Sequence, residues 1–174
     1  MSNYKELLRE VNTFIFDYDG VLTDGTVVLM NDGDALRTAN VKDGYALQLA
    51  VKKNYRVVII SGGISDSIRK RFEGLNVKDV FLGVDKKIAV YDAYLKEHNI
   101  EPQHVLYMGD DSPDYEVMLK AGVPSCPADA AEEIKSISKY ISHKKGGKGA
   151  VREIIEQVMK VQGKWHLYYD GKHD

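Results

Sequence analysis

FIFDYDGVLTDG (14–25) begins as an apolar strand and then places three aspartates within eight residues. Asp17 and Asp19 stand one residue apart at the strand's end, and Gly20 follows at once. In open α/β sheets, ligands bind beyond the carboxyl ends of the strands. An acidic pair at such an end is therefore placed for chemistry as well as for a turn.

Four further apolar runs follow along the chain. They are YRVVIIS (55–61), KDVFLG (78–83), HVLYMGD (104–110) and the weaker AGVPSC (121–126). Runs this apolar suit strands buried on both faces of a parallel sheet. Amphipathic segments at 43–54, 65–75, 86–99 and 114–122 alternate with them. The alternation predicts a doubly wound, Rossmann-like α/β sheet with helices on both faces.

One stretch departs from this rhythm. In GTVVLMNDGDALRTANV (25–41), two strand-like runs flank NDGD, a turn-forming tetrapeptide. This predicts a β-hairpin projecting between the first strand and the first long helix. Near the other end, KKGGKGAVREIIEQVMKVQG (144–163) reads as a glycine-rich loop leading into a helix, with Val151, Ile154, Ile155 and Val158 on one face. A single domain over 1–163 is expected, followed by a polar and aromatic tail, KWHLYYDGKHD (164–174).

The bulk properties exclude several classes. The 174 residues are 44% hydrophobic and 29% charged, as in ordinary globular proteins, and long enough to bury a core without staples. A formal net charge of -2 gives no electrostatic case for nucleic acid or an anionic membrane as partner. No apolar run approaches the ~18 residues of a membrane span, and MSNYKELLREVN has no signal-like apolar core. The lone Cys126 reads as a small buried side chain and suits a reducing compartment. A cytoplasmic protein is expected.

Four strand ends deliver polar groups to one edge of the predicted sheet. Asp17 and Asp19 end the first run, Ser61 the second, and Asp110 and Asp111 the fourth, while Lys87 follows the third. At any single strand end, Asp and Gly are ordinary turn or cap residues. Convergence of all four is not ordinary. Clustered carboxylates need a cation to stay ionised together. Oxygen ligands without histidine suit Mg²⁺. A lysine and a hydroxyl suit a bound phosphoryl group, and Gly62 and Gly63 let backbone amides approach it near a helix N-terminus. Asp17 could then act as nucleophile and Asp19 as acid and base.

In this arrangement the chain resembles the haloacid dehalogenase superfamily of phosphotransferases. The four signatures stand as DYDGV, SGG, a lysine at a helix start, and GDDSPD. The resemblance implies catalytic roles for Asp17, Asp19, Ser61 and Lys87, with Asp19, Gly62 and Lys87 also contacting the substrate. It implies Mg²⁺ held by Asp17, the Asp19 carbonyl and Asp110, with Asp111 or Asp114 in support. Lys87 is preferred to its neighbour Lys86, and Asp24 is expected to order the loop after the nucleophile. Most members insert a cap domain. Here only a hairpin follows Asp19, and the 25 residues between Ser61 and Lys87 suffice only for a helix and a strand, so no cap is expected.

A closer resemblance covers nearly the whole chain. DGVLTDG, NVKDGYAL, GDDSPD and GGKGAVREIIEQVMKVQGKW are similar to the 3-deoxy-D-manno-octulosonate 8-phosphate phosphatases. This implies a phosphatase for that sugar acid phosphate, working through an aspartyl phosphate, within lipopolysaccharide synthesis. It also implies a homotetramer with hairpins at its centre, a neighbour walling each site, and the tail reaching a site. Asn40, Lys42, Asp43, Gly44 and Arg71 match sugar-pocket positions. Two departures leave the sugar open. Such relatives commonly read TGR where this chain has Ser61-Gly62-Gly63, and carry arginine near Gln48. Loss of two planar guanidinium groups bears on carboxylate recognition. The alternative substrate is 2-keto-3-deoxynononate 9-phosphate or another sugar acid phosphate. A phosphoreceiver domain or a non-catalytic scaffold is the remote alternative. A receiver would place its acceptor aspartate after the third strand and a lysine after the fifth, where this chain has LGVD and SCPAD.

Overall fold

A computed structural model describes residues 4–165. In chain order the elements are α1 (Tyr4–Leu7), β1 (Thr13–Phe16), β2 (Val28–Leu29), β3 (Ala35–Leu36), α2 (Val41–Lys52), β4 (Arg56–Ile60), α3 (Asp66–Glu73), β5 (Asp79–Phe81), α4 (Lys87–His98), β6 (Val105–Met108), α5 (Tyr115–Lys120), β7 (Val123–Cys126), α6 (Glu132–Ile137), β8 (Tyr140–Ile141) and α7 (Ala150–Val161). Short 3₁₀ turns at Pro102–His104 and Ser112–Asp114 precede β6 and α5.

Six strands form a parallel sheet in the order β5-β4-β1-β6-β7-β8. β1 is central, with Phe14 opposite Val57 on one side and Leu106 on the other. Chain direction across the sheet therefore reverses at β1, and the crevice at its carboxyl end is the ligand position of such folds. Every residue of β1 and β6 is buried, as the apolar runs predicted.

Side chains alternate between two cores. Phe14 and Phe16 face a layer built with Ala46, Leu47, Phe72, Ile154, Ile155 and Val158. Ile15 faces the opposite layer, with Tyr91, Tyr94, Leu95, Val117 and Met118. Each such large side chain contributes roughly 1.5–3 kcal/mol on full burial. Cys126 is buried within the second layer.

The hairpin is present as an antiparallel pair, with Val28 opposite Leu36 and Leu29 opposite Ala35. Its turn closes through Met30 N to Asp34 O at 2.9 Å, and Gly33 takes φ 88°. Among the described residues, the hairpin is the only regular structure between β1 and α2, and α3 and β5 fill the span from Ser61 to Lys87. The described residues contain no cap domain.

The elements absent from the sequence reading are short. β8 has two residues, α1 four and α6 six, too few for a hydrophobic period to emerge. The glycine-rich run has a packing reason. A Cβ on Gly146 would lie 1.8 Å from the Gly20 carbonyl, and one on Gly147 2.6 Å from Asp24 N. Only bare backbone lets this loop rest against the turn that follows β1.

Candidate active site

Asp17 follows β1 directly and is buried. Its Oδ1 accepts from Tyr18 N at 2.6 Å and lies 2.8 Å from Lys87 Nζ. Lys87 opens α4 and is itself buried, so the amine is drawn into the site. Its second partner is Asp114 Oδ1, also at 2.8 Å. Lys86 is the N-cap of α4 and lies outside the cleft that Lys87 lines.

Asp114 is fully buried and heavily used. Oδ1 also accepts from Tyr107 Oη at 2.6 Å, and Oδ2 accepts from Asp110 N at 3.1 Å. This carboxylate thus fixes Lys87 from below. Tyr107, on β6, was not a candidate from sequence, because its hydroxyl is concealed in an apolar run. Asp111 is exposed, caps the 3₁₀ turn and accepts from Ser112 N at 2.8 Å.

Oxygen atoms of Asp17, Asp110 and Asp114 all lie within 4.8 Å of one another. Burial, with the Asp114 charge adding to it, pushes Asp17 up to about 6 against the pull of Lys87. Burial, followed by the charges of Asp17 and Asp114, pushes Asp110 up to about 8. For Lys87, burial disfavours the charge, but Asp114 and Asp17 more than offset it and its pKa is raised. The carboxylates are too crowded to ionise together in the bare protein. An oxygen-only acidic cluster of this kind fits a divalent metal ion. Gly20 is part of the cradle. It takes φ 85°, and a Cβ there would lie 1.9 Å from Asp110 Oδ2.

Asp17, Asp19, Ser61, Gly62, Gly63, Lys87, Asp110, Asp111 and Asp114 line one cleft of about 700 Å³. Ser61 is buried, and its Oγ accepts from Gly63 N at 3.1 Å. Asp24 orders the adjoining loop, accepting from Thr26 N at 3.0 Å. Thr23 does the same from within, accepting from Gly20 N and Gly25 N at 3.3 and 3.2 Å.

Arg37 also reaches this site, and sequence reasoning missed it. Its guanidinium engages both oxygens of Asp19, at 2.6 and 3.0 Å. In sequence it lies 18 residues away at the end of an exposed ribbon, with no spacing that signals the pair.

Asn40, Lys42, Asp43, Gly44 and Arg71 do not line this cleft in the single chain. Asn40 caps α2, accepting from Lys42 N at 2.8 Å and Asp43 N at 3.2 Å. Asp43 is buried and caps α7, accepting from Arg152 N at 2.8 Å and Gly149 N at 3.3 Å. Arg71 lies across Gly44, where a Cβ would come within 2.3 Å of its guanidinium. Lys42 lines a separate groove beside α7 with Lys148 and Arg152. The expected tail contact falls almost entirely outside the described residues, and no described helix is long and apolar enough to cross a membrane.

A family profile described as haloacid dehalogenase-like hydrolase matches residues 80–155. The 3-deoxy-D-manno-octulosonate 8-phosphate phosphatase of Salmonella typhi is 35% identical over 156 residues, 90% of this chain and 83% of that protein. The Escherichia coli K12 enzyme of the same name is 34% identical over the same shares. Among solved structures, the Moraxella catarrhalis phosphatase in complex with magnesium, phosphate and KDO superposes with a TM-score of 0.91. It is 30% identical and covers 95% of each chain. The Yersinia pestis phosphatase gives 0.91 and 30%, covering 94% of this chain and 88% of its own. The chain belongs to the haloacid dehalogenase superfamily, as a capless phosphoric monoester hydrolase of the 3-deoxy-manno-octulosonate-8-phosphatase type.

Proposed function

We propose that the protein hydrolyses 3-deoxy-D-manno-octulosonate 8-phosphate to the free sugar acid and phosphate, through an aspartyl phosphate on Asp17 and with Mg²⁺ as cofactor. The observation that carries this reading is Asp17 itself. Its carboxylate is clamped by Lys87 at 2.8 Å and by Tyr18 N at 2.6 Å, and it opens on a cleft shared with Ser61 and Gly62.

Asp17 would hold the metal together with Asp110 and the Asp19 carbonyl, with Asp114, whose oxygens share the cluster, or the exposed Asp111 in support. Asp114 is committed to Lys87 and Tyr107. When bound, the ion neutralises the crowded carboxylates and polarises the phosphoryl group. Asp17 attacks phosphorus while the bond to the sugar oxygen breaks. Asp19 gives that oxygen a proton, then takes one from the water that attacks the acyl phosphate. Lys87 and Ser61 hold the phosphoryl oxygens throughout.

We further propose a homotetramer assembled through the hairpins. Val28 is 59% exposed, Leu29 80% and Leu36 46%. An apolar surface of this kind supports burial against other copies of the chain. Asn40, Lys42, Asp43, Gly44 and Arg71 lie outside the cleft of one chain, which favours a sugar pocket completed by a neighbouring copy. The bare Gly63 favours a second reading, in which the sugar is the nine-carbon 2-keto-3-deoxynononate 9-phosphate. Phosphate release from the eight- and nine-carbon substrates, measured side by side with Mg²⁺, tests the choice. Preference for the octulosonate is expected; preference for the nononate, or turnover of neither, would overturn it.

A further inference from the structure

The hairpin exposes its apolar side chains yet turns one charged side chain inward. Arg37 directly follows β3, and its side chain is only 12% exposed. One terminal nitrogen donates to the Ala35 carbonyl at 2.8 Å. Nε donates to Asp19 Oδ1 at 2.6 Å and the other terminal nitrogen to Oδ2 at 3.0 Å. The guanidinium is thus anchored to the hairpin backbone at one edge and grips both oxygens of Asp19 at the other. A planar fork fixes the plane of a carboxylate, which a lone ammonium cannot do. It uses one acceptor direction on each oxygen and leaves the others for a proton.

The room for this contact comes from Gly63. A Cβ there would lie 3.2 Å from the Arg37 terminal nitrogen, 3.2 Å from Asp19 Oδ2 and 3.4 Å from Ser61 Oγ. Two strand-end loops and the hairpin therefore meet at one point. Arg37 is not among the residues lining the cleft, whereas Asp19 is. Its hydrogen bonds run to Asp19 and to the Ala35 carbonyl.

We propose that Arg37 is a positioning residue, which orients the Asp19 carboxylate toward the leaving oxygen and so ties proton delivery to the docking of the hairpin. This rests on the phosphatase reading above. It makes a specific demand. A sugar alkoxide leaves poorly and needs a proton from a general acid, the role proposed for Asp19, while p-nitrophenolate leaves with little help. Loss of Arg37 should therefore act unequally on the two kinds of ester.

The test compares wild type, Arg37→Ala, Arg37→Lys and Asp17→Asn. The substrates are p-nitrophenyl phosphate and 3-deoxy-D-manno-octulosonate 8-phosphate, or in its stead the alkyl phosphate that wild type hydrolyses fastest. For Arg37→Ala, kcat on the alkyl ester should fall about 100-fold, in the range of a general-acid contribution. The fall on p-nitrophenyl phosphate should be about tenfold smaller, with KM nearly constant. Arg37→Lys, with charge but no fork, should recover only part of the loss. Equal losses on both esters, no loss, or a loss confined to KM would overturn the proposal. Asp17→Asn should silence both esters; turnover by that variant would instead refute the covalent mechanism.

Discussion

Lys87 Nζ stands 2.8 Å from Asp17 Oδ1, and the two groups are buried together at the end of the central strand. The amine holds the Asp17 oxygen and is itself held by Asp114, which Tyr107 braces from β6. In the proposed mechanism a phosphoryl group arriving at Asp17 would meet a cation already in position, with little reorganisation there.

The Gly20 position should tolerate no side chain. Gly20→Ala would bring a Cβ to 1.9 Å from Asp110 Oδ2, at a φ of 85° that costs an L-residue roughly 1–2 kcal/mol. Displacement of Asp110 should lower turnover by about 100-fold. It should also abolish the thermal stabilisation given by Mg²⁺. A variant that kept both would show that Asp110 does not hold the ion.

Stability of the metal-free protein should fall as pH rises. Asp17 and Asp110 are raised from 3.8 to about 6 and about 8, so the folded state binds more protons than the unfolded state across this window. Their contribution is complete below pH about 4 and is lost as pH climbs through the folded values. Mg²⁺ needs both carboxylates ionised. Melting temperatures should therefore drop from pH 5 to pH 8 without metal, and Mg²⁺ should raise them more at pH 8. A metal effect that was larger at pH 5 would contradict the assignment of these two residues.

Asp43 carries a structural load. Its carboxylate receives Arg152 N and Gly149 N at the start of α7, where a negative charge also suits the helix dipole. Asp43→Ala should cost about 1–2 kcal/mol of unfolding free energy, as the loss of a good cap does. Denaturant melts check this, and an unchanged midpoint would refute it.

Much of this was legible in the sequence. The β1 run and DYDGV located the central strand and its acidic end because a fully buried strand leaves an unmixed apolar signal, and its end must change character sharply. NDGD likewise announced the hairpin through its turn chemistry. Other features lacked a local signal. The Arg37–Asp19 pair depends on where the hairpin folds back, which no spacing reports. Tyr107 was hidden because a buried hydroxyl looks apolar in a strand pattern. Asn40, a polar residue at a helix start, carried an N-cap signal for α2, whereas the Asp43 contact to the start of α7 spans more than 100 residues and has no local signal.

The exposed hairpin should control assembly. Leu29 is 80% exposed in the single chain, so Leu29→Asp should leave the monomer fold intact. If the hairpins pack together, the charge should convert the tetramer to smaller species in sedimentation experiments. An unchanged sedimentation coefficient would remove the hairpin from the interface.

The acyl phosphate on Asp17 is the step on which the mechanism depends. Borohydride added during turnover reduces an acyl phosphate, leaving homoserine where the aspartate stood. Peptide mass spectrometry then reads the position. Homoserine at residue 17, formed only with substrate present, is the expected result. Homoserine at another carboxylate, or none during sustained phosphate release, would contradict nucleophilic catalysis by Asp17.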